Sequence, residues 1–409
     1  MKFTQVLFHQ HIDRGFRKLW QIKQKRVIPV TNAETVLSNM GFKIKDAAEV
    51  VTPKKEFTKL NFEFLAKRIT FDESHPDWKD KICLTYKDNN VLQEGIVQAK
   101  LLTKTVILKD GLPEKIEALI QDVPEQLDNI IQRLVYNCTV YDANQELLPK
   151  IKDPERPAWV FPRSYGITSL RKMHYISKKF LQLCESLSGP SISKDRSVVQ
   201  DGLTSICIEK DTDLIQFSLH MDLMLTSTSP LNPLANKEQG IECSISDIYP
   251  LHHTISLGQE NVYKMDDIFP VDASSPWINV HTIFIHHDSE KVKNLTELPV
   301  TNDQILARAL LKSFAAAACC ARQKFGADVK ELPEPLTVQC IQSDGQKYHF
   351  SVFQLNTLDV SGLEGTRNFW WSTKPINLYT KAKYEIGRPK VVGYNAEVFK
   401  NFLAFYKNQ

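Results

Sequence analysis

Towards the C-terminal end of the chain, apolar and polar positions follow the period of β-strands in two adjacent runs, residues 337–342 and 347–355. Asp344-Gly345 stands at the centre of the short connection between them, and this pair tolerates the positive φ angles of a type I′ turn. The second run is apolar on both faces: Tyr348, Phe350 and Val352 on one, Phe353 and Leu355 on the other. Because such strands lie between two layers, the pattern predicts a buried central hairpin.

The clearest helical period covers residues 303–325, where apolar positions mark one side of a helix. Thr301 and Gln304 have the spacing of a capping box before it, and Gly326 is placed to end it. Weaker helical patterns cover residues 91–104, 113–121, 124–136, 168–187 and 393–406, and strand patterns cover 204–209, 214–225 and 280–287. We therefore predict an α+β (mixed α/β) fold with helices on a mostly antiparallel or mixed sheet.

Before this body the chain is basic and weakly periodic, which predicts an extended basic N-terminal arm. The predicted organisation is a mitochondrial targeting segment at 1–29, the arm at 30–74, a mainly helical region at 75–190 and an α/β body at 191–409. Residues 1–29 mix apolar and basic side chains with a single acid, Asp13, as transit peptides do. A basic RNA-binding arm and an ordinary basic surface helix are the alternatives.

Bulk properties limit the possible partners. The net charge of +3 is only mildly basic, so a nucleic-acid ligand would be held by a few basic segments. The sequence contains no run of about 18 apolar residues, which is the pattern that would predict a membrane-spanning helix. The eight cysteines are scattered without a C-x-x-C pair, which favours buried free thiols over a disulfide framework or a thiolate metal site.

Motifs for catalysis are absent from the sequence. It contains no phosphate-binding glycine loop, no G-x-S-x-G and no H-E-x-x-H. His281, His286 and His287 share a predicted strand, with His252 and His253 one loop earlier. Alternation and strand rise would hold His281 and His287 about 20 Å apart, too far to share a metal ion. We expect core, surface or interface histidines, and no catalytic residue, metal ligand or bound cofactor.

Several short segments in register resemble the mitochondrial large-ribosomal-subunit protein L-thirty-seven family. They are YHFSVFQLNTLD (348–359), EGTRNFWW (364–371), GYNAEVFKNFLAFY (393–406), LQEGI (92–96), LTKT (102–105), GLPEK (111–115) and the neighbourhood of His75-Pro76. The resemblance covers residues 75–115 and 300–409 and is faint between about 145 and 293.

This resemblance implies a noncatalytic structural constituent of the mitochondrial large ribosomal subunit, located in the matrix. Its implied partners are other large-subunit proteins, the related S-thirty-type protein and mitochondrial rRNA, with no membrane and no small-molecule substrate. The alternative is a matrix enzyme whose active site is assembled from dispersed residues.

Three groups of side chains are candidate contact surfaces. The basic cluster Lys381, Lys383, Arg388 and Lys390 is predicted to touch rRNA phosphates. The aromatic loop Phe369, Trp370 and Trp371 is expected to be either core or protein interface. The predicted helix at 168–187 carries Arg171, Lys172, Lys178 and Lys179, a candidate RNA or partner surface for which a solvated face is the favoured interpretation.

Overall fold

A computed structural model of the chain describes residues 32–47, 71–142, 144–150, 155, 162–240, 243–294, 298–386 and 388–409. The chain divides into two compact units, Met1–Ile69 and Thr70–Gln409. In the first unit, the described part holds one helix, α1 (Asn32–Asn39), which buries none of its residues. The targeting segment predicted at 1–29 and most of the predicted arm at 30–74 lie outside the described residues.

The second unit is built from helices and strands in alternation. Its described helices are α2 (Gly95–Thr103), α3 (Glu114–Glu117), α4 (Glu125–Thr139), α5 (Ser169–Ser188), α6 (Pro190–Ser193), α7 (Asn302–Phe325) and α8 (Glu397–Lys407). Its described strands are β1 (Trp78–Lys87), β2 (Thr105–Ile107), β3 (Glu146–Leu147), β4 (Tyr165–Gly166), β5 (Arg196–Lys210), β6 (Asp213–Ser227), β7 (Gly258–Val262), β8 (Asn279–His286), β9 (Glu331–Ser343), β10 (Lys347–Thr357), β11 (Asn368–Ser372), β12 (Ile376–Asn377), β13 (Lys381–Glu385) and β14 (Arg388–Val392).

Ten of these strands form one mixed sheet with the order β2-β11-β10-β9-β8-β6-β1-β7, to which β5 adds beside β6 and β12 beside β10. Strands β1 and β6, β8 and β9, and β11 and β2 pair in parallel. The β9–β10, β10–β11, β5–β6 and β6–β8 pairs are antiparallel. The α+β prediction with a mixed sheet is confirmed.

Helices cover both faces of the sheet and create two hydrophobic cores. On one face, α7 packs its Phe314 and the run Ala315–Ala318 against Phe353 and Trp370. On the other face, α4, α5 and α8 pack against the alternate side chains of the same strands, with Phe180 from α5 meeting Phe399 of α8 edge to face at 5.2 Å. Burial of apolar area on both faces supplies most of the driving force for this arrangement.

The predicted central hairpin is present as β9 and β10, which pair from Tyr348↔Ser343 to Leu355↔Leu336. Tyr348, Phe350 and Val352 enter the core under α5 and α8, whereas Phe353 and Leu355 enter the core under α7. Burial of both faces is therefore confirmed. The type I′ turn is wrong, because Gly345 has a positive φ of 93° but Asp344 does not, and type I′ needs both. Instead the Asp344 carboxylate accepts hydrogen bonds from the amides of Gln346 and Lys347.

The aromatic segment predicted as a loop is strand β11, paired with β10 from Ser372↔Ser351 to Phe369↔Gln354. Alternation sends Phe369 and Trp371 to one core and Trp370 to the other. All three are at most 4% exposed. Core is thus the correct alternative for these residues, and the interface alternative is wrong because their surface is already covered.

Helix α7 begins at the predicted cap. The Thr301 hydroxyl accepts from the amide of Gln304, and the Gln304 side chain accepts from the amide of Thr301. Gly326 follows the last turn with a φ of 103°. By length and composition α7 could cross a bilayer, but 89% of its apolar window is buried inside the fold, as in the core helix of a soluble protein.

Sequence patterns missed strands β1 and β2, which lie within the region predicted to be mainly helical. The predicted helix at 91–104 begins later, at Gly95, and the one at 113–121 shortens to the single turn of α3. In the terminal segment only Glu397–Lys407 is helical. These differences leave the order of the predicted body intact and add the long-range pairing of β1 with β6.

Candidate functional site

The predicted basic cluster lies on the two-stranded hairpin of β13 and β14. The register places Lys381 opposite Val392, Lys383 opposite Lys390 and Glu385 opposite Arg388. Since directly opposed residues of an antiparallel pair share a face, all four predicted basic residues fall on one side of the hairpin, which we call the basic face. Lys381, Arg388 and Lys390 are exposed, and the side chain of Lys383 lies outside what the structure describes.

The opposite side of the hairpin is apolar and anchored. Ala382 and Val391 pack against the core that includes α4 and α5. At the turn, Ile386 is completely exposed and has a positive φ of 49°. Within the described side chains of the basic face the acid is Glu385, which pairs with Lys390 at 3.6 Å. The hairpin therefore presents an excess of positive charge to solvent on a fixed support.

The second basic candidate, on α5, is less free. Asp142 accepts hydrogen bonds from the Arg171 guanidinium, which also lies over the Tyr175 ring at 4.9 Å. Burial lowers the pKa of Lys172, and Lys178 is half-buried. Only Lys179 of the four is exposed, and its ammonium donates to Gln182 at 3.2 Å. This helix face is mostly committed to intramolecular contacts.

The strand histidines are core residues, which is one of the three alternatives that the sequence left open. The His281 ring is fully buried and contacts the carbonyl of Asn408 through Nε2 at 2.9 Å and the Thr282 hydroxyl through Nδ1 at 2.8 Å. Burial lowers its pKa to about 3, so the ring is neutral at physiological pH. Its role is to hold the end of α8 against the sheet.

One buried group resembles a hydrolytic triad. Ser177 Oγ lies 3.1 Å from His286 Nε2, and His286 Nδ1 lies 3.5 Å from Asp222 Oδ1. However, Ser177 sits inside α5 with 2% of its surface exposed, without the strand-to-helix turn that presents a nucleophile. A substrate carbonyl has no approach to this hydroxyl, so the group is a hydrogen-bonded part of the core.

Beside this group, a polar cavity of about 500 Å³ opens between β6, β8 and α7. Lys312 reaches into it, pairing with Asp88 at 2.6 Å and donating to the carbonyl of His220. Arg308 donates to the carbonyls of Asp88 and Asn90. Burial lowers the pKa of Lys312, and these contacts compensate its charge. Lys312 and Arg308 thus connect α7 to the segment that follows β1.

Sequence reasoning named His252 and His253 but missed the residue that they meet, Asp213 at the start of β6; the two histidines lie in the loop before β7. The possible ligand atoms of these three side chains all lie within 4.8 Å of one another. Burial lowers the pKa of His253 to about 4. No local spacing in the sequence signals this group, because β6 and the loop are brought together only by the fold.

The cysteines follow the sequence prediction. All eight are free, and seven are buried, Cys243 being the half-buried one. Cys319 and Cys320 diverge as expected for adjacent helical residues, since their thiols point to the carbonyls of Ser205 and Ile278 respectively.

Comparison with known proteins gives one consistent result. The family model described as mitochondrial 28S ribosomal protein S30 (PDCD9) matches residues 286–409. The large ribosomal subunit protein mL37 of Bos taurus is 27% identical over 351 residues, covering 82% of this chain and 77% of the relative. The mL37 of Rattus norvegicus is 28% identical over 348 residues, covering 81% and 76%, and that of Gallus gallus is 26% identical over 350 residues, covering 82% and 76%. The resemblance expected from the short segments is thus confirmed, and it extends through the middle of the chain.

Proposed function

We propose, on the premise that this chain is a relative of the mL37 proteins, that it is a structural constituent of the mitochondrial large ribosomal subunit. The observation that carries the proposal is the extent of the similarity, which runs over about four-fifths of the chain and three-quarters of each relative. Such an extent is much larger than one shared module. The chain then supports mitochondrial translation by its shape and contacts, and its place is the mitochondrial ribosome.

The basic face of the β13–β14 hairpin is the proposed contact with rRNA. Lys381, Arg388 and Lys390 are exposed on one side of a hairpin whose other side is packed on the core. This combination suits phosphate contacts, because the backbone that carries the cations is already ordered before binding. Lys383 belongs to the same face by register.

The proposed protein partner is the related S-thirty-type protein. The match of residues 286–409 to the S30 family model supports a shared C-terminal architecture, from the last residue of β8 to α8. Proteins of like architecture can pair through like surfaces, as in the two-fold interfaces of homodimers. The remaining contacts are with other large-subunit proteins.

The proposed role is noncatalytic. In the described residues, the arrangement closest to an active site is the Ser177–His286–Asp222 group, and its serine is buried. The second candidate, a matrix enzyme, therefore lacks a supporting observation. Residues 1–29 remain a proposed targeting segment, and the boundaries at 29, 74 and 190 remain predictions.

Sedimentation of the full-length tagged chain from mitochondrial lysate tests the proposal. Under conditions that preserve ribosomes, the chain should migrate with the large subunit. RNase treatment should move it to lighter fractions, because the rRNA that organises the particle is destroyed. Sedimentation as a small free species in both conditions would overturn the proposed function.

A further inference from the structure

We propose that Asp213, His252 and His253 form a binding site for a zinc ion. The site joins the turn between β5 and β6 to the loop that precedes β7. It is independent of the proposed ribosomal role, because none of its residues belongs to the basic face of the β13–β14 hairpin.

The geometry needs only small side-chain movements to accept the ion. His253 Nε2 lies 3.9 Å from Asp213 Oδ2, and all three ligand atoms lie within 4.8 Å of one another. Ligand atoms around a tetrahedral zinc are about 3.4 Å apart, as zinc–nitrogen and zinc–oxygen bonds of about 2.1 Å require. Rotation of the exposed His252 ring and the half-buried Asp213 carboxylate can supply the difference.

His253 Nε2 is the atom that most needs a partner. It is buried, faces Asp213, and makes no hydrogen bond within the described residues. A buried nitrogen without a partner loses the hydrogen bonds that water gave it, which destabilises the folded chain. A metal ion between His253 and Asp213 would satisfy the nitrogen and the carboxylate together.

His252 already has the outer contact of a metal-binding histidine. Its Nδ1 lies 2.7 Å from the hydroxyl of Thr254, which orients the ring and leaves Nε2 for the metal. Metal-ligating histidines commonly use their second ring nitrogen in this way. The two rings are 4.1 Å apart between centroids, so both nitrogens can turn to one point.

The loop carrying the histidines is held in place by α2. Gln98 donates from its side-chain amide to the carbonyls of His253 and Ile255, at 2.8 and 2.6 Å, and is itself fully buried. Asp213 is fixed by its pairing with Lys210 in the β5–β6 ladder. Ligands on such supported segments bind metal without a large ordering cost.

The donor set selects the metal class. Two imidazoles and one carboxylate suit zinc, whereas calcium and magnesium require mostly oxygen ligands. Three protein ligands leave one tetrahedral position for water. The Lys210 ammonium lies near the site, and its positive charge opposes the binding of a metal cation. This ammonium donates to the carbonyl of Val360, and the negative charge of Asp211 offsets its effect.

Isothermal titration of the chelator-treated full-length chain with zinc sulfate tests the site. We expect one zinc per chain, with affinity reduced about tenfold or more in each of His252→Gln, His253→Gln and Asp213→Asn. The matched control is His220→Gln, which alters an exposed histidine 3.5 Å from Asp201 and should bind zinc as the wild type does. Circular dichroism of the metal-free variants verifies that each is folded.

Replacing zinc with cobalt distinguishes binding at this site from binding by the cysteine thiols. Nitrogen and oxygen ligands give visible d–d bands without the strong thiolate charge-transfer band in the near ultraviolet, and this is the expected spectrum. A thiolate band would overturn the proposal. The absence of stoichiometric zinc binding by the wild type would also overturn it. So would unchanged binding by a folded variant that combines His252→Gln, His253→Gln and Asp213→Asn.

Discussion

Lys390 lies directly opposite Lys383 across the β13–β14 ladder, so two lysines occupy one cross-strand pair of a surface hairpin. Like charges at opposed positions destabilise a sheet. Arg388 and Lys381 add to the same face, and Glu385 compensates only part of the charge. A polyanion bound to this face would remove the repulsion, which is the physical reason for proposing that the hairpin contacts rRNA.

Reversal of the charges on this face should weaken incorporation into the large subunit. The variant changes Lys381, Lys383, Arg388 and Lys390 to Glu, and we expect the fraction of chain in large-subunit fractions to fall severalfold. Contacts with phosphates are lost and new repulsion appears. Because salt screens both effects, the defect relative to the wild type should be largest at low salt and should shrink as salt rises. Gradient sedimentation with immunodetection measures it.

The control for charge reversal has the same change in net charge at scattered sites. It changes to Glu four lysines that are exposed outside the hairpin: Lys109, Lys150, Lys264 and Lys330. Incorporation of this control should match the wild type. Equal losses in both variants, or none in the hairpin variant, would contradict the role of the basic face.

Trp370→Ala should destabilise the isolated chain itself. The ring is fully buried 6.4 Å from Phe353, between the sheet and α7, and its removal leaves a large cavity. The free energy of unfolding, measured with urea, should fall by about 3–5 kcal/mol. Tyr165→Ala, at a ring that is 70% exposed, should change it by no more than about 0.5 kcal/mol. If Trp370→Ala were as stable as the wild type, the ring would not stabilise the core between the sheet and α7.

Thr301→Ala should remove half of the capping box at α7. The amide of Gln304 would lose its acceptor, and we expect a loss of about 1 kcal/mol in the free energy of unfolding. Thr301→Ser keeps the hydroxyl and should retain most of the stability. If alanine and serine gave the same value, the capping hydrogen bond would contribute nothing to the start of α7.

His281 makes stability depend on pH. Its pKa is about 3 in the fold against 6.5 for the free side chain, so between these values the unfolded chain binds a proton that the folded chain excludes. The free energy of unfolding therefore decreases as pH falls below about 6.5, by about 1.4 kcal/mol per pH unit.

The His281→Gln variant isolates this contribution, because glutamine keeps a donor for the Asn408 carbonyl but does not titrate. The stability advantage of the wild type should shrink by about 2 kcal/mol between about pH 7.5 and about pH 5. Urea unfolding of both proteins at the two pH values measures the difference. A constant difference would show that the histidine is not held neutral by burial.

Local signals were sufficient where one segment decides its own structure. The capping box at Thr301 and the apolar side of α7 predicted that helix almost to the residue. The two apolar faces of residues 347–355 predicted that β10 lies between layers, because alternation alone assigns its side chains to opposite cores. The basic face could also be anticipated, since four cations fall within ten residues of the sequence.

The rest depends on contacts between distant segments. Strand β1 contains Lys79, Asp80 and Lys81, which hide its period, and its pairing with β6 is parallel and far away in the chain. The EGTRNFWW segment looked like a loop because its strand is only five residues long. Asp213 and the two histidines share no spacing rule and meet only when the loop before β7 packs on α2.

The number of copies of this chain per large subunit tests the central claim most directly. Quantitative mass spectrometry of purified mitochondrial large subunits, before and after a high-salt wash, compares the copy number of this chain with the copy numbers of other large-subunit proteins. A structural constituent should be present at about one copy per particle and should remain after the wash. A substoichiometric amount, or loss in the wash while the other proteins remain, would contradict the proposed function.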